Sequence, residues 1–504
     1  MSNNISSAAW SPTNISNISL SQIKSLSQNE VKGMSTAQLS ALSSDQVKAL
    51  STDVVALSKD QLQAVDVYSF TKDQIRSLTN AQINYLAANT HDQSDSGLDA
   101  LGNDELGALS ASQIKGVDLS SLSGDQIAAL SPSAVTGLTS TQLKALTSEQ
   151  VGSITAKQAA NLNAVQLAAL TDSTSDDITN STNTPPTSSL SVDALKAISS
   201  KNIQALRVEN LSADQVGALS AKQVSLLSTT QLSNLTTEQL GQMDASQLTK
   251  LTANQLSKMG TATASGLNDL SVDAFASLSS KQLTGLNTQA LVQNLDADHV
   301  SAVITKLSTL HVGALKASQL GNLTAVDLSS MSAQQLRAIS STNIANLDAT
   351  ALGNTTTVVQ KLTTTQISNL TGSSGSNQVE KISFESMAKL SAAQLYAFSN
   401  DATASLTDDQ ISVIGTARTA SGPAPIKGLR VDHVTNYAAF TDNQIVGLSN
   451  TQIGKLDSTK VNDLSVSGLE GWSKSQGNAL VSNSVAYGLL DTAHKSIIDM
   501  ITST

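Results

Sequence analysis

The chain has 504 residues, of which 39% are hydrophobic, 2% aromatic and 14% charged, and it contains no cysteine. Its core must therefore be aliphatic, and disulfides, thiolate metal sites and cysteine nucleophiles are excluded. The net charge of −11 and the scattered Lys and Arg residues argue against binding to nucleic acid or to anionic lipid, because both depend on clustered positive charge.

Residues 1–20, MSNNISSAAWSPTNISNISL, form a non-repeat N-terminal segment. This segment lacks the basic start and the apolar stretch of a Sec signal peptide. No part of the chain approaches the roughly 20 apolar residues that a membrane helix needs. We therefore expect no membrane insertion, and an export route without a Sec signal if the protein leaves the cell.

A repeated unit is clearest in residues 35–50, which read STAQLSALSSDQVKAL. Each half has a Ser, two variable residues, Gln, a branched apolar residue, two small or polar residues and Leu. We call this unit the octad and number its positions one to eight. Internal repeats of this kind decide the fold. Further copies, some with Thr at position one, occupy 58–65, 71–78, 79–86, 123–130, 139–146, 212–219, 228–235, 236–243, 363–370, 407–414 and 441–448.

The spacing within the octad is typical of a capped helix start. A Ser followed three residues later by Gln forms a capping box, in which each side chain bonds a backbone amide of the other residue. With Ser43 as N-cap and Gln46 at the third helical position, Leu42 and Val47 form a hydrophobic staple. Val47 and Leu50 then share one helix face. We expect each Leu to end one helix and to precede the cap of the next.

The preceding copy has the same features, with Ser35 as cap, Gln38 as its box partner and Leu39 on the apolar face. In the next copy, Leu50 precedes Ser51, which we expect to be the following cap.

Two other conformations fit the octad poorly. A strand needs alternating apolar residues, whereas these are spaced three and five apart. In one continuous helix, eight residues advance about 800°, so the apolar stripe would drift by about 80° per unit. The pattern predicts an all-α solenoid, or superhelix, of very short capped helices, which need stacked neighbours for stability. Small residues at position seven would let neighbouring backbones approach closely: Ala41, Ala49, Ala129, Ala145 and Ala218.

A longer period divides the array into blocks of roughly 70–100 residues, since 189–206 resembles 269–286. The stretch 171–189, with Pro185 and Pro186, is the clearest linker. Residues 465–504 depart from the octad, and we expect them to form a C-terminal cap. The predicted repeat blocks are 21–86, 98–170, 190–259, 269–370, 381–414 and 429–464, and the pattern is interrupted at 87–97, 171–189, 260–268, 371–380 and 415–428.

Residue patterns that carry chemistry are missing from the sequence. It has no phosphate-binding glycine motif, no G-x-S-x-G motif and no H-x-x-x-H or H-E-x-x-H metal motif. We expect no catalytic residue, cofactor or metal. The five histidines are expected on the surface or in loops: His91, His299, His311, His433 and His494.

Acidic residues recur at position three of the octad. They could form a carboxylate ladder for calcium, or they could favour the positive end of each helix dipole. We favour the dipole interpretation, because no calcium-binding loop motif occurs. The residues are Asp45, Asp60, Asp73, Asp125, Asp214 and Asp409.

The units resemble the S/T-x-x-Q-[ILV]-x-x-L octapeptide arrays of bacterial exported and cell-surface proteins, over most of residues 20–460. Together with the long array and the lack of catalytic motifs, this resemblance favours a non-enzymatic extracellular structural protein. We expect its partner to be itself, as a self-assembling subunit of a filament, sheath or surface layer. The alternatives are a type III-secreted effector or harpin-like protein that acts on a host, and, less favoured, an adhesin stalk.

Overall fold

Short helices joined by sharp bends make up the structure, a computed structural model that describes residues 10–88, 98–171, 189–259, 266–286, 294–372, 377–415 and 425–503. These residues contain α- and 3-10 helices and no strand. The predicted all-α solenoid of very short capped helices is therefore confirmed. Residues 172–188 of the predicted linker, with both prolines, and residues 1–9 of the N-terminal segment lie outside the described residues.

The chain divides into two compact units, Met1–Ser271 and Val272–Thr504. In the first unit, 3-10 helices span Ile15–Asn17, Ser51–Ala56, Val67–Ser69, Leu98–Ala100, Ile203–Ala205, Val208–Asn210 and Gly266–Asp269. Its α-helices span Leu20–Lys24, Gln28–Lys32, Thr36–Ser40, Ser44–Ala49, Lys59–Gln63, Lys72–Ser77, Asn80–Ala88, Asn103–Leu106, Ala111–Ile114, Gly124–Ala129, Pro132–Val135, Ser140–Lys144, Ser148–Gly152, Ala156–Ala159, Ala164–Thr171, Val192–Ala197, Ala213–Ala218, Ala221–Ser225, Thr229–Ser233, Thr237–Gly241, Ala245–Leu248 and Ala253–Leu256.

In the second unit, 3-10 helices span Ile304–Lys306, Asn343–Asn346, Pro425–Gly428 and Val431–His433. Its α-helices span Val272–Ala276, Ser280–Thr284, Ala297–Val303, Thr309–Gly313, Ala317–Gly321, Ala325–Ser330, Ala333–Ala338, Ala349–Gly353, Val358–Lys361, Thr364–Ile367, Gln378–Lys381, Phe384–Ala388, Ala392–Ala397, Asn400–Ala404, Asp408–Val413, Asp442–Val446, Asn450–Ile453, Ser458–Asn462, Val466–Glu470, Lys474–Val481, Ser484–Gly488 and Thr492–Ser503.

Helices pack on the third helix further along the chain. Gly124–Ala129 packs against Ser148–Gly152, and Pro132–Val135 packs against Ala156–Ala159. Packing continues past the predicted linker, where Ala156–Ala159 packs against Val192–Ala197, the second described helix after it. Within each unit, successive turns of the solenoid therefore contact one another, which is how repeat proteins stabilise helices too short to persist alone.

The interior is aliphatic and comes from positions five and eight of the octad. Val47 is 0% exposed and Leu50 is 1% exposed. One glycine shows how closely two turns approach each other. A Cβ atom added to Gly137, at position seven, would lie 2.0 Å from the Ala111 carbonyl oxygen of the preceding turn.

Candidate functional site: a ladder of buried glutamines

Gln158 illustrates how the glutamine at position four connects two turns. Its Oε1 accepts from the Thr155 backbone N–H at 2.8 Å, which closes the capping box at the start of its own helix. Its Nε2 donates to the carbonyl oxygens of Ile127 and Leu130, each at 2.8 Å. The side chain is only 1% exposed. One carboxamide therefore accepts a hydrogen bond from the backbone at the start of one helix and donates hydrogen bonds to the carbonyls at the end of another.

The spacing of these bonds gives the length of a turn. Gln150, Gln158 and Gln166 each donate to carbonyls 31 and 28 residues earlier in the chain. A separation of 28 residues is three and a half octads. Gln158 and Gln166 consequently meet the end of the fourth helix before their own, whereas the acceptors of Gln150 lie in the bend between Ala111–Ile114 and Gly124–Ala129.

This arrangement solves a problem that very short helices create. The last four carbonyls of any helix lack partners within it, and buried carbonyls without partners are costly. Amide side chains from the next turn supply the missing donors, each bond with a net worth of about 1 kcal/mol. We call this set of buried glutamines the glutamine ladder: Gln38, Gln46, Gln61, Gln74, Gln113, Gln150, Gln158, Gln166, Gln215, Gln223, Gln231, Gln239, Gln247, Gln319, Gln335, Gln366, Gln378, Gln410, Gln444 and Gln452.

The residues that the sequence analysis named are N-caps, box partners and core residues of helices in the first unit. Ser43 is the N-cap of Ser44–Ala49; its N–H donates to Gln46 Oε1 at 2.9 Å, and its Oγ accepts from the Gln46 N–H at 3.3 Å. Gln46 Nε2 donates to the carbonyls of Ile15 and Ile18, at 2.8 and 2.9 Å.

The preceding copy has the same geometry. Ser35 caps Thr36–Ser40 in a complete box with Gln38, whose Nε2 donates to the Trp10 carbonyl at 2.6 Å. Leu39 and Leu42 are buried.

Ser51 does not cap a helix, contrary to the expectation from the sequence. It begins a 3-10 helix with φ of 50° and no side-chain cap bond. Its third neighbour is Val54, which has no polar atom to complete a capping box. Val54 is 0% exposed and fills the interior instead.

Other side chains take the place of the ladder glutamine where the octad changes. Asn202 Nδ2 donates to the Leu162 carbonyl at 2.7 Å, and Trp472 Nε1 donates to the Ile445 carbonyl at 2.8 Å. Lys460 Nζ donates to the Asp432 carbonyl at 3.2 Å. These three side chains share an N–H donor that reaches the preceding turn.

Three histidines also occupy the glutamine position, so the expectation of surface or loop histidines is wrong for them. His299, His311 and His494 each stand three residues after an N-cap and are 3%, 1% and 6% exposed. Burial lowers the pKa of His311, and a hydrogen bond with the Leu286 backbone works in the opposite direction. His299 lies edge-on to Phe275, with ring centroids 5.1 Å apart.

The carboxylates at position three lie at helix starts on the surface. Asp45 is 3.9 Å from Lys48 Nζ, and Asp73 is 3.0 Å from Arg76, both three residues apart on their helices. These placements fit the dipole interpretation. Within the described ranges, no three His, Asp or Glu residues form a group that could hold a metal ion.

A groove of about 1030 Å³ lies beside the Asp442–Val446 and Asn450–Ile453 helices of the second unit. Its polar lining includes Asn443, Asn450 and Ser475. Lys427 is the only charged residue among the described residues that line it.

The second bond of the glutamine is the feature that the sequence interpretation missed. A capping box accepts Glu as readily as Gln, as Ser27 and Glu30 show, yet the quoted octads all carry Gln. A carboxylate can only accept hydrogen bonds, whereas an amide also donates. The consistent choice of Gln was therefore the available signal for a second, donating partner.

Residues 15–52 match the model of the ALTTAQ repeat family. The letters of that name follow the octad from position seven, as in ALSSDQ at residues 41–46. No curated protein matches the chain. Two solved structures of APUM23, with GGAUUUGACGG and with GGAAUUGACGG, align with 97% of this chain and with 84% and 95% of their own chains. Their identities are 12% and 11% and their TM-scores 0.16 and 0.15, so this likeness carries no argument. The match to the ALTTAQ repeat model shows that the chain is a repeat protein.

Proposed function

We propose that this chain is a non-enzymatic bacterial structural protein that assembles with copies of itself outside the cell. The observation that carries the proposal is the glutamine ladder. The recurring Ser, Thr, Gln and Leu side chains are engaged in caps, bonds between turns and the core. The repeat thus builds a scaffold, and the side chains that recur in it hold that scaffold together.

The surface supports association between copies. Charged residues are only 14% of the chain, so few charged side chains would have to lose water where copies meet. Large apolar side chains are exposed on the Ser484–Gly488 and Thr492–Ser503 helices. Val485 on this first helix is 72% exposed, Leu489 directly after it is 66% exposed, and Met500 is 51% exposed. We place one contact between copies at this apolar patch, formed by Val485, Leu489 and Met500.

The test uses the full chain and substitutions that leave the fold intact. Deleting 465–504 would remove helices that pack on the rest of the second unit, so its effect would be ambiguous. The double variant Val485→Lys/Leu489→Lys instead adds charge to exposed positions. Leu310→Lys, at a residue 70% exposed in another turn, is the matched control.

Light scattering and electron microscopy would measure assembly of the three proteins. We expect ordered polymers from the native chain and from the Leu310→Lys control, and shorter or fewer polymers from the patch variant. A native chain that stays strictly monomeric at high concentration would contradict the proposal.

The proposed location is the cell surface or extracellular space. No helix in the described ranges has the length and apolar character to cross a bilayer. A reporter fused behind residues 1–50 would measure export directly. Export that depends on a type III system would favour a secreted effector over a structural subunit.

A further inference from the structure

His494 lies in the last turn of the second unit, where it replaces a ladder glutamine. It belongs to the Thr492–Ser503 helix, which packs against Val466–Glu470 and Lys474–Val481. Its Nδ1 lies 2.8 Å from both carboxylate oxygens of Asp491. Its Nε2 lies 2.9 Å from the Leu464 carbonyl oxygen, 30 residues earlier. The imidazole therefore bridges its own cap and the preceding turn, as Gln158 does.

Both partners of this ring can only accept hydrogen bonds. A neutral imidazole has a single N–H, so it could satisfy one partner and would present a lone pair to the other. The imidazolium has two N–H groups and satisfies both. The charged form of His494 is thus the form that completes the contact between turns. The glutamine ladder, by contrast, uses a neutral amide that keeps its donors at every pH near neutrality.

The charges around His494 favour the same form. The His494 backbone N–H, 2.9 Å from Asp491 Oδ1, holds the pKa of the Asp491 carboxyl below its usual range, and the imidazole adds to this effect. Asp491 therefore remains a carboxylate beside the ring.

The remaining charged groups on these three helices are few. Glu470 stands on Val466–Glu470, Lys474 on Lys474–Val481, and Lys495 and Asp499 on the histidine's own helix. Among the described residues, Asp491 is the only group that forms an ion pair with His494. Asp499 accepts from the Tyr487 hydroxyl, and Lys495 lies 5.1 Å from the Tyr487 ring centre, so both are engaged at another helix.

We propose that the packing of the Thr492–Ser503 helix on the preceding turn is controlled by pH, through hydrogen bonds from the His494 imidazolium to Asp491 and to the Leu464 carbonyl. The direction of the pH dependence follows from the two N–H donors of the imidazolium. A folded state that needs the proton gains stability at pH values below about 6.5, where a free histidine is protonated. That contribution needs both N–H groups of the ring and is absent when the ring is neutral. The Thr492–Ser503 helix is therefore held more firmly on the preceding turn in acid than in base. This effect does not depend on assembly between copies.

Hydrogen exchange of the full chain, measured by mass spectrometry between pH 5.5 and 8.5 and corrected for intrinsic rates, tests this proposal. We expect protection of residues 492–503 to fall about tenfold or more across that range, the worth of a charge-assisted bond. His494→Gln restores the ladder residue and should make the protection independent of pH. Asp457→Asn, at an aspartate cap whose box position holds Lys460, is the matched control and should leave the pH response of 492–503 unchanged.

Nitrogen NMR of the native chain labelled in its histidines supplies a readout that does not depend on how the variant folds. The His494 resonance, assigned by its loss in His494→Gln, should show both ring nitrogens protonated at pH 6. A neutral tautomer at that pH, or an equal pH response of protection in the native chain and in His494→Gln, would overturn the proposal.

Discussion

Replacing Gln158 by Glu should open the contact between two turns while leaving the capping box intact. The carboxylate can still accept from the Thr155 N–H, as Glu30 does from Ser27 at 2.8 Å. It cannot donate to the Ile127 and Leu130 carbonyls, which lie 2.8 Å from the amide nitrogen that it replaces. The variant thus separates the two functions of the glutamine, cap and bridge.

The expected loss of local stability follows from the polar groups that the substitution leaves buried. The Leu130 carbonyl oxygen loses this donor, at about 1–3 kcal/mol, and the Ile127 oxygen keeps only the Leu130 N–H at 3.2 Å, at about 1 kcal/mol for the lost bond. The side chain, which is 1% exposed, also gains a charge. We expect a loss of about 3–5 kcal/mol in the local free energy of opening, which corresponds to roughly 150- to 4,000-fold faster amide exchange. Protonation of the new carboxyl would limit the loss, since a protonated acid can donate one bond.

Gln22 offers a matched control. It completes the box with Ser19, whose N–H lies 3.1 Å from Gln22 Oε1, but its Nε2 has no carbonyl partner among the described residues. Gln22→Glu should therefore change the amide exchange of its own helix, Leu20–Lys24, only slightly. Native-state hydrogen exchange of residues 124–130 and 155–160 would report the difference. Equal protection in both variants and the native chain would refute the bridging role of the ladder.

Three further predictions concern the core, the approach of turns and pH. Leu50→Asp places a charge at a residue 1% exposed and should unfold its turn, visible as lost helical circular dichroism, whereas Lys48→Ala, with a side chain 52% exposed, should change stability little. Gly137→Ala should cost about 1–3 kcal/mol in a denaturant titration, because its Cβ would lie 2.0 Å from a carbonyl oxygen of the preceding turn. Since burial lowers the pKa of His311, the unfolded state binds its proton first, so the free energy of unfolding should fall as pH drops below about 6.5, and His311→Gln should remove that slope. An unchanged pH slope in His311→Gln, or a Gly137→Ala protein as stable as the native chain, would contradict the respective argument.

The capped helices could be predicted because all their determinants lie within eight residues. Ser43, Gln46 and Val47 specify a cap, a box and an apolar face by local contacts alone. The partners of Gln46 Nε2 could not be predicted, because Ile15 and Ile18 lie 31 and 28 residues away. That separation in sequence depends on the bend at every intervening cap. Small changes in the backbone angles at those caps would change the number of residues in a turn of the solenoid.

Departures from the octad were harder to interpret for the same reason. His494 and Trp472 share no sequence pattern with Gln, and only the stacked turns reveal that each supplies an N–H donor to a carbonyl about one turn earlier. Val54 shows the opposite case: an apolar residue stands at the box position, its side chain fills the interior, and the unit is a 3-10 helix.

Cysteine cross-linking across neighbouring turns tests the central claim most directly, because the native chain has no cysteine. Asn450 Nδ2 lies 2.6 Å from Ser475 Oγ, 25 residues later, and both side chains are exposed. Asn450→Cys/Ser475→Cys should therefore form a disulfide rapidly under mild oxidation. Asn450→Cys/Ser458→Cys joins equivalent positions of successive octads and should remain reduced. Rapid cross-linking of the second pair, with none in the first, would contradict the stacked-turn architecture and the ladder built on it.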